Sequence, residues 1–136
     1  MDKAEQEYLQ AKEMREQLAV ENPSAYQPDL ASTCNNLGVL YADTKRLNLA
    51  EREYFRAKKI YEQLAIENPL AYKPYFAISC NNLGILYVDT KRMDKAEQEF
   101  FQAKEIYEQL VKISPEQYMP YLQIVYNNLR QLKDYM

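Results

Sequence analysis

The sequence predicts an all-α chain, an α-solenoid of antiparallel helix pairs stacked one on the next, and three observations carry that reading. The first is a repeat of 46 residues. Asn35-Asn36-Leu37-Gly38 returns as Asn81-Asn82-Leu83-Gly84 and, altered, as Asn127-Asn128-Leu129-Arg130. Asp43-Thr44-Lys45-Arg46 returns as Asp89-Thr90-Lys91-Arg92, and the seven residues from Met1 to Glu7 return unchanged from Met93 to Glu99. A fixed period in this range marks stacked supersecondary units in which each unit touches its neighbours. The second observation is apolar spacing at the helical period, with no alternating pattern that would compete as a strand. The third is the scarcity of glycine: there are only two, Gly38 and Gly84, both inside apolar helical patterns. The chain therefore reads as one repeat domain, 1–136, with units 1–46, 47–92 and 93–136.

Each unit is expected to hold two helices. The first opens at a capping box, Asp2 with Glu5, Asn48 with Glu51 and Asp94 with Glu97. There a short polar side chain accepts from early backbone N–H groups and the glutamate three residues on reaches back. Apolar residues then recur at helical spacing, in the middle unit Ala50, Tyr54, Ala57, Ile60, Tyr61 and Leu64. The helix stops near Asn22-Pro23, Asn68-Pro69 and Ser114-Pro115, because a residue before proline is pushed out of the helical region. A short connector with Tyr26, Tyr72 and Tyr118 at matching places follows. The second helix is expected to start close to Pro28, Pro74 and Pro120, where a first-turn N–H has no helical partner to lose. It runs through the Asn-Asn-Leu segment to about Asp43, Asp89 and the C-terminus, so the last helix spans about 119–135.

Glycine inside a helix costs about 1 kcal/mol relative to alanine. A close helix crossing would offset it, with Ala50 and Ala57 facing Gly38 and Ala96 and Ala103 facing Gly84. Of the 13 tyrosines most recur with the period, which assigns them to core and connector packing.

Composition narrows the function. The formal net charge is −3 and charges are well mixed, without the basic stripe of a nucleic-acid binder or a membrane-surface helix. No apolar run approaches the roughly 20 residues that span a bilayer, and no signal peptide is visible. There is no histidine, which removes the commonest general base and metal ligand. Cys34 and Cys80 sit one period apart, roughly 10 Å on stacked helices and too far for a disulfide. They read as small core residues with reduced thiols, which favours the cytoplasm. The periodic carboxylates, Glu5, Glu7, Glu51, Glu53, Glu97 and Glu99 among them, read as a solvated face with i,i+4 support rather than acid/base pairs. No catalytic residue, cofactor or metal is expected.

Two sets of residues carry the resemblance to a known family. Cys34, Leu37-Gly38, Tyr41, Ala50, Tyr54 and Ala57 fall at the signature spacing of the tetratricopeptide repeat, and Cys80, Leu83-Gly84, Tyr87, Ala96, Phe100 and Ala103 repeat it. The long period and the Asn-Asn-Leu-Gly-x-Leu-Tyr wording look most like kinesin-light-chain-type and related bacterial repeats. The resemblance implies a right-handed superhelical solenoid of six helices. It also implies that the chain opens on the second helix of one motif and closes on a lone first helix. There Arg130 replaces glycine and Lys133 replaces tyrosine, which resembles a polar cap. At the other end Ala4, Tyr8, Ala11 and Leu18 lack the helix they would face, so the expectation is either that the sequence is part of a longer repeat protein or that this face meets another chain, a homodimer through it being the alternative function.

The resemblance places Asn35, Asn36, Asn81, Asn82, Asn127 and Asn128 on or near a concave groove. An amide offers two donors and an acceptor, so a ladder of amides pairs with an extended peptide backbone. Val39 and Ile85 would form shallow apolar pockets beside it. One asparagine of each pair is equally suited to bond a neighbouring helix or connector, and both roles stay open. Groove positions Asn35, Val39, Asn82, Ile124 and Asn128 include no Lys or Arg, which argues against an acidic chaperone tail as ligand. The expected partner is a protein or peptide, with neither nucleic acid nor membrane.

Overall fold

A computed structural model describes residues 2–135. Six helices follow one another with almost no connecting chain: α1 Lys3–Glu21, α2 Pro23–Asp43, α3 Leu47–Glu67, α4 Pro69–Asp89, α5 Met93–Ile113 and α6 Pro115–Tyr135. No strand occurs among the described residues. The helices are each about 30 Å long. Each packs mainly on its neighbours in the chain, and α4 also touches α6.

Two kinds of junction make this stacking regular. Within a unit a single extended residue separates the helices: Asn22, Asn68 or Ser114, each immediately before a proline. Its N–H closes the previous helix on Leu18, Leu64 or Leu110, at 2.8–3.0 Å. The proline that follows is the first residue of the next helix and needs no partner for an N–H it lacks. The second helices thus begin at Pro23, Pro69 and Pro115, not near Pro28, Pro74 and Pro120, and the last begins before residue 119. Tyr26, Tyr72 and Tyr118 lie within helices rather than in a connector. The inner prolines are tolerated because the carbonyls they strand, four residues back, belong to the exposed first-turn residues Ser24, Leu70 and Glu116.

Between units the chain turns through Thr44-Lys45-Arg46 and Thr90-Lys91-Arg92. Lys45 and Lys91 have φ 63°, in the left-handed region. Arg46 N–H donates to Tyr41 O at 2.8 Å and Lys45 N–H to Ala42 O at 3.1 Å, the paired bonds of a Schellman motif. Arg92 and Lys91 repeat both bonds on Tyr87 and Val88. This turn runs straight into the next helix, so Arg46 and Arg92 are the N-cap residues of α3 and α5. Asn48 and Asp94 fall inside the first turn and do not cap. Only Asp2 caps as expected, accepting from Glu5 N–H at 2.8 Å.

The glutamates of the supposed boxes serve a different purpose. Glu5 accepts from Arg46 Nη1 at 2.7 Å, and Glu51 accepts from Arg92 Nη2 at 2.6 Å, each across 41 residues. Each arginine also lies over the ring of Tyr41 or Tyr87, at 4.7 and 4.6 Å. A second ladder joins α1, α3 and α5. Lys12 Nζ donates to Glu53 Oε2 at 2.9 Å, and Lys58 Nζ to Glu99 Oε1 at 2.8 Å. Glu5 and Glu53 are buried, Glu53 to 1% exposure. The carboxylates are therefore not simply a solvated face with local support. The long side chains of α1, α3 and α5 reach one another across the stack, and the interior charge is held by pairing between repeats.

The core repeats with the same period. Leu37, Cys34 and Tyr41 of α2 meet Ala50, Tyr54 and Ala57 of α3, and Leu83, Cys80 and Tyr87 of α4 meet Ala96, Phe100 and Ala103 of α5. The glycines face the aromatic ring set between those alanines rather than the alanines themselves. A Cβ on Gly38 would stand 2.4 Å from Tyr54 Cδ1, and one on Gly84 2.4 Å from Phe100 Cε1. No real Cβ sits so close to a ring carbon, so only glycine admits this approach.

Gly84→Ala is expected to lower stability by about 1–2 kcal/mol, the steric cost exceeding the gain in helix propensity. In urea melts Phe100→Leu should then cost less in the Gly84→Ala chain than in the parent, and a stabilising Gly84→Ala would refute the close contact. Lys12→Met is expected to cost about 1–3 kcal/mol, because it leaves the buried Glu53 charge only the exposed Arg52 Nε, at 3.4 Å, as partner. Adding Glu53→Leu should recover much of that loss, whereas equal melts for the single and double variants would mean the pairing is unimportant.

Candidate functional site

Residues at helical spacing on α2, α4 and α6 share one face, and the repeat lines them up into rows that cross the three helices. At one end stand Asp29, Tyr75 and Tyr121, then Ser32, Ile78 and Ile124. The amides follow, then Val39, Ile85 and Gln131, and finally Asp43, Asp89 and Tyr135. All but Ile78 among these non-amide positions are exposed. Val39 is 41% and Ile85 43% exposed, large for aliphatic side chains on a helix packed against two others.

The amide row is connected. Asn82 Nδ2 on α4 donates to Asn35 Oδ1 on α2 at 3.1 Å, and Asn128 Nδ2 on α6 donates to Asn81 Oδ1 on α4 at 2.9 Å. The first asparagine of one unit thus accepts from the second asparagine of the next. Both Asn81 and Asn82 bond neighbouring helices, in opposite directions. Each bond leaves polar capacity unused: the Nδ2 hydrogens of Asn35 and Asn81, and the Oδ1 lone pairs of Asn82 and Asn128. Asn36 is exposed at one end of the row, and Asn127, exposed at the other, accepts from Arg130 Nη2 at 2.6 Å.

Two clefts lie beside this row, one repeat apart. The first, about 480 Å³, is lined by Pro28, Asp29, Ser32, Tyr61, Tyr72 and Tyr75. The second, about 270 Å³, is lined at corresponding positions by Pro74, Tyr75, Ile78, Tyr107, Tyr118 and Tyr121. In each a buried tyrosine from α3 or α5 stacks on an exposed one from α4 or α6. Tyr61 and Tyr75 have ring centroids 5.4 Å apart, and Tyr107 and Tyr121 5.5 Å, both near parallel. Burial, with Tyr75 adding to it, pushes the Tyr61 hydroxyl up to about 12, so it stays a neutral donor. Sequence reasoning assigned these tyrosines to packing, which holds for Tyr61 and Tyr107 but not for Tyr75 and Tyr121, at 50% and 43% exposure. The available signal was that Tyr75 lies seven residues before Asn82 and Tyr121 seven before Asn128, two helical turns along the same stripe.

None of these row positions is itself basic, although the Arg130 guanidinium reaches the end of the amide row at Asn127. Asp29, Asp43 and Asp89 make no ion pair among the described residues. Asp43 and Asp89 are the last residues of α2 and α4, where the helix dipole is negative and disfavours a further anion.

The cysteines are free and fully buried. Burial, then the Glu53 charge, pushes the Cys34 thiol up to about 12, and burial raises Cys80 further. Neither is an activated nucleophile. Among the described residues no group of three or more His, Cys, Asp or Glu is placed to hold a metal. No helix is long and apolar enough to cross a membrane.

On α1, Ala4 is exposed and Tyr8, Ala11 and Leu18 are half-buried. Their counterparts Ala50, Tyr54 and Ala57 are buried, and Leu64 is half-buried like Leu18. At the other end Arg130 and Lys133 are exposed on α6.

A family model described as Tetratricopeptide repeat matches residues 30–65 and 76–116, more than half of the chain. No curated protein matches the sequence. Among solved structures the chain is similar to BtubC (BKLC) from P. vanneervenii, at 14% identity over 97% of this chain and 73% of that one, with a TM-score of 0.33.

Proposed function

The chain belongs to the tetratricopeptide repeat family, a family of protein-interaction modules, and from that premise we propose that it is an adaptor holding an extended peptide segment of a partner against the α2/α4/α6 face. The observation that carries this reading is the bonded amide row with unused donors and acceptors. Asn35 and Asn82 fix one another's side-chain geometry, as do Asn81 and Asn128. Their remaining polar groups are ordered before a ligand arrives, which lowers the entropy lost on binding. A peptide backbone supplies the N–H and C=O groups such amides need, independently of sequence. Asn36 and Asn127 extend the row, and Val39 and Ile85 supply apolar contact beside it. The proposal includes no catalytic role and no cofactor, and free buried thiols fit a cytoplasmic setting.

Selecting a displayed random-peptide library on the parent and on Asn36→Ala/Asn82→Ala tests it, with helicity matched by circular dichroism. Peptides retained by the parent and weakened about tenfold or more by the variant support the reading; affinity unchanged in a folded variant removes these residues from the site.

The half-exposed α1 stripe favours a second reading, self-association through Ala4, Tyr8, Ala11 and Leu18. Sedimentation from micromolar to hundreds of micromolar should then show a dimer that Tyr8→Lys abolishes. A mass that stays monomeric throughout rules that reading out.

A further inference from the structure

The amide row recognises backbone and leaves the side chains of a bound peptide unspecified, whereas the two clefts beside it differ in charge. We propose that the cleft between α2, α3 and α4 is a receptor for an arginine side chain, its guanidinium laid on tyrosine rings and paired with Asp29. That the arginine belongs to the bound peptide rests on the groove reading; the chemistry of the cleft does not.

Three helices build this cleft. α2 contributes Asp29 and Ser32, α3 contributes Tyr61, and α4 contributes Tyr72 and Tyr75, around a volume of about 480 Å³. Tyr61 is buried, Tyr72 is half-buried and Tyr75, stacked on Tyr61, is exposed. The faces of aromatic rings carry negative charge density, so such a lining attracts a cation, more strongly as the cation sheds water. Asp29 adds a full negative charge. Burial, then Tyr75, Cys34, Tyr72 and Asp29, pushes the Tyr61 hydroxyl up to about 12, so the aspartate stands within electrostatic reach of the buried ring.

Among the described residues no cation of this chain answers that charge. No Lys or Arg lines the cleft, and Asp29 forms no ion pair. Lys73 follows Tyr72 in the chain but lines a different cleft, with Phe76. Thr33 Oγ donates to the backbone carbonyl of Asp29 at 3.0 Å, which leaves the carboxylate available.

The corresponding cleft one repeat on isolates what the charge does. It keeps the aromatic lining, with Tyr107, Tyr118 and Tyr121 in place of Tyr61, Tyr72 and Tyr75. Tyr75 stands there where the first cleft has Asp29, and Ile78 where it has Ser32. Aromatic character is shared by the two clefts; the carboxylate and the hydroxyl are not. Selection of a cation therefore belongs to the first cleft alone.

The pairing of rings with a carboxylate favours arginine over lysine. A guanidinium is planar and weakly hydrated, so it lies flat on a ring while its fork of N–H donors pairs with a carboxylate. A lysine ammonium is a compact, strongly hydrated charge that gives up more water to enter. The Ser32 hydroxyl offers a further acceptor.

Titration of the folded chain with N-acetyl-arginine amide, followed by NMR of carbon-13-labelled tyrosine rings, tests the proposal. N-acetyl-citrulline amide, similar in shape and uncharged, and N-acetyl-lysine amide are the comparisons. The arginine derivative is expected to shift Tyr61, Tyr72 and Tyr75 saturably, about tenfold or more tighter than citrulline, and to leave Tyr107 and Tyr118 unmoved. Asp29→Asn should weaken it by about fivefold and flatten its salt dependence. Tyr75→Leu should weaken it, and Tyr75→Phe, which keeps the ring, should restore it. Both positions are exposed, and circular dichroism confirms that each variant is folded. Citrulline or lysine binding as tightly as arginine, equal shifts in the second cleft, or unchanged binding in Asp29→Asn overturns the proposal. The peptide-library selection separates this from failure of the groove. Enriched peptides that depend on Asn36 and Asn82 but carry no arginine overturn the inference while the groove stands. If no peptide depends on the asparagines the groove reading falls, and a saturable, Asp29-dependent arginine titration then supports the cleft by itself.

Discussion

A ring lying on a bare backbone sets the geometry of the whole stack. Tyr54 occupies the volume a side chain at residue 38 would need, and Phe100 does the same at residue 84. Because the ring is wide and the contact close, it fixes both the distance and the rotation of α3 against α2 and of α5 against α4. The alanines on either side, fully buried, allow the helices to close over the ring. Everything at longer range inherits that geometry. Side-chain amides are short, and Asn82 reaches Asn35 only if α2 and α4 are held at one spacing and one register. A shift of a turn along either helix would break the amide row and separate the stacked tyrosines that floor the clefts.

Electrostatics then defines the register that packing permits. An apolar stripe repeated along helices tolerates slippage, but a buried carboxylate does not. Glu53, without solvent, is paired with the Lys12 ammonium of the preceding repeat at 2.9 Å and more loosely with its neighbour Arg52 at 3.4 Å, and Glu5 with the Arg46 guanidinium from the turn that follows. Such pairs add little net stability, because desolvation offsets much of their attraction. Their larger effect falls on misaligned arrangements, which would bury a charge with no partner. The Thr-Lys-Arg turn thus has two tasks: it ends a helix in a Schellman motif and presents the arginine that bridges repeats.

The face opposite α1, α3 and α5 shows what a repeat protein gains from this regularity. Single residues of modest chemistry, an amide, a tyrosine and an aspartate, become rows when the same helix recurs at a constant step. The rows need no strained backbone and no unusual side chain. Their information lies in which groups recur at each step and in the sign of the charges at the margins. Residues that interrupt the repeat matter for the same reason: Asp29 where the other units have tyrosine, and Arg130 where they have glycine.

Much of this was written in the linear sequence, because helix formation and repetition are local or periodic properties. The period, the all-helical class, the break at Asn22, Asn68 and Ser114 and the ends at Asp43 and Asp89 follow from spacing and from proline's missing N–H. Membership in the tetratricopeptide repeat family was legible in the small and aromatic residues around Gly38 and Gly84. The tertiary structure decided most of the rest, because those features join side chains of different helices, from Tyr61 and Tyr75 to Asn35 and Asn82, 47 residues apart. Glu5 and Glu51 look like capping-box members until the turn swings Arg46 and Arg92 onto them. Pro28 and Pro74 look like helix starts until the prolines five residues earlier take that position. The asparagines look like six equal groups until stacking makes Asn35 an acceptor and Asn82 a donor. Tyr61 and Tyr75 share one helical-repeat composition, yet only packing buries the first and leaves the second half exposed above it. Local chemistry fixed which helices form; the distance between them, set by a ring on a glycine, decided which side chains meet.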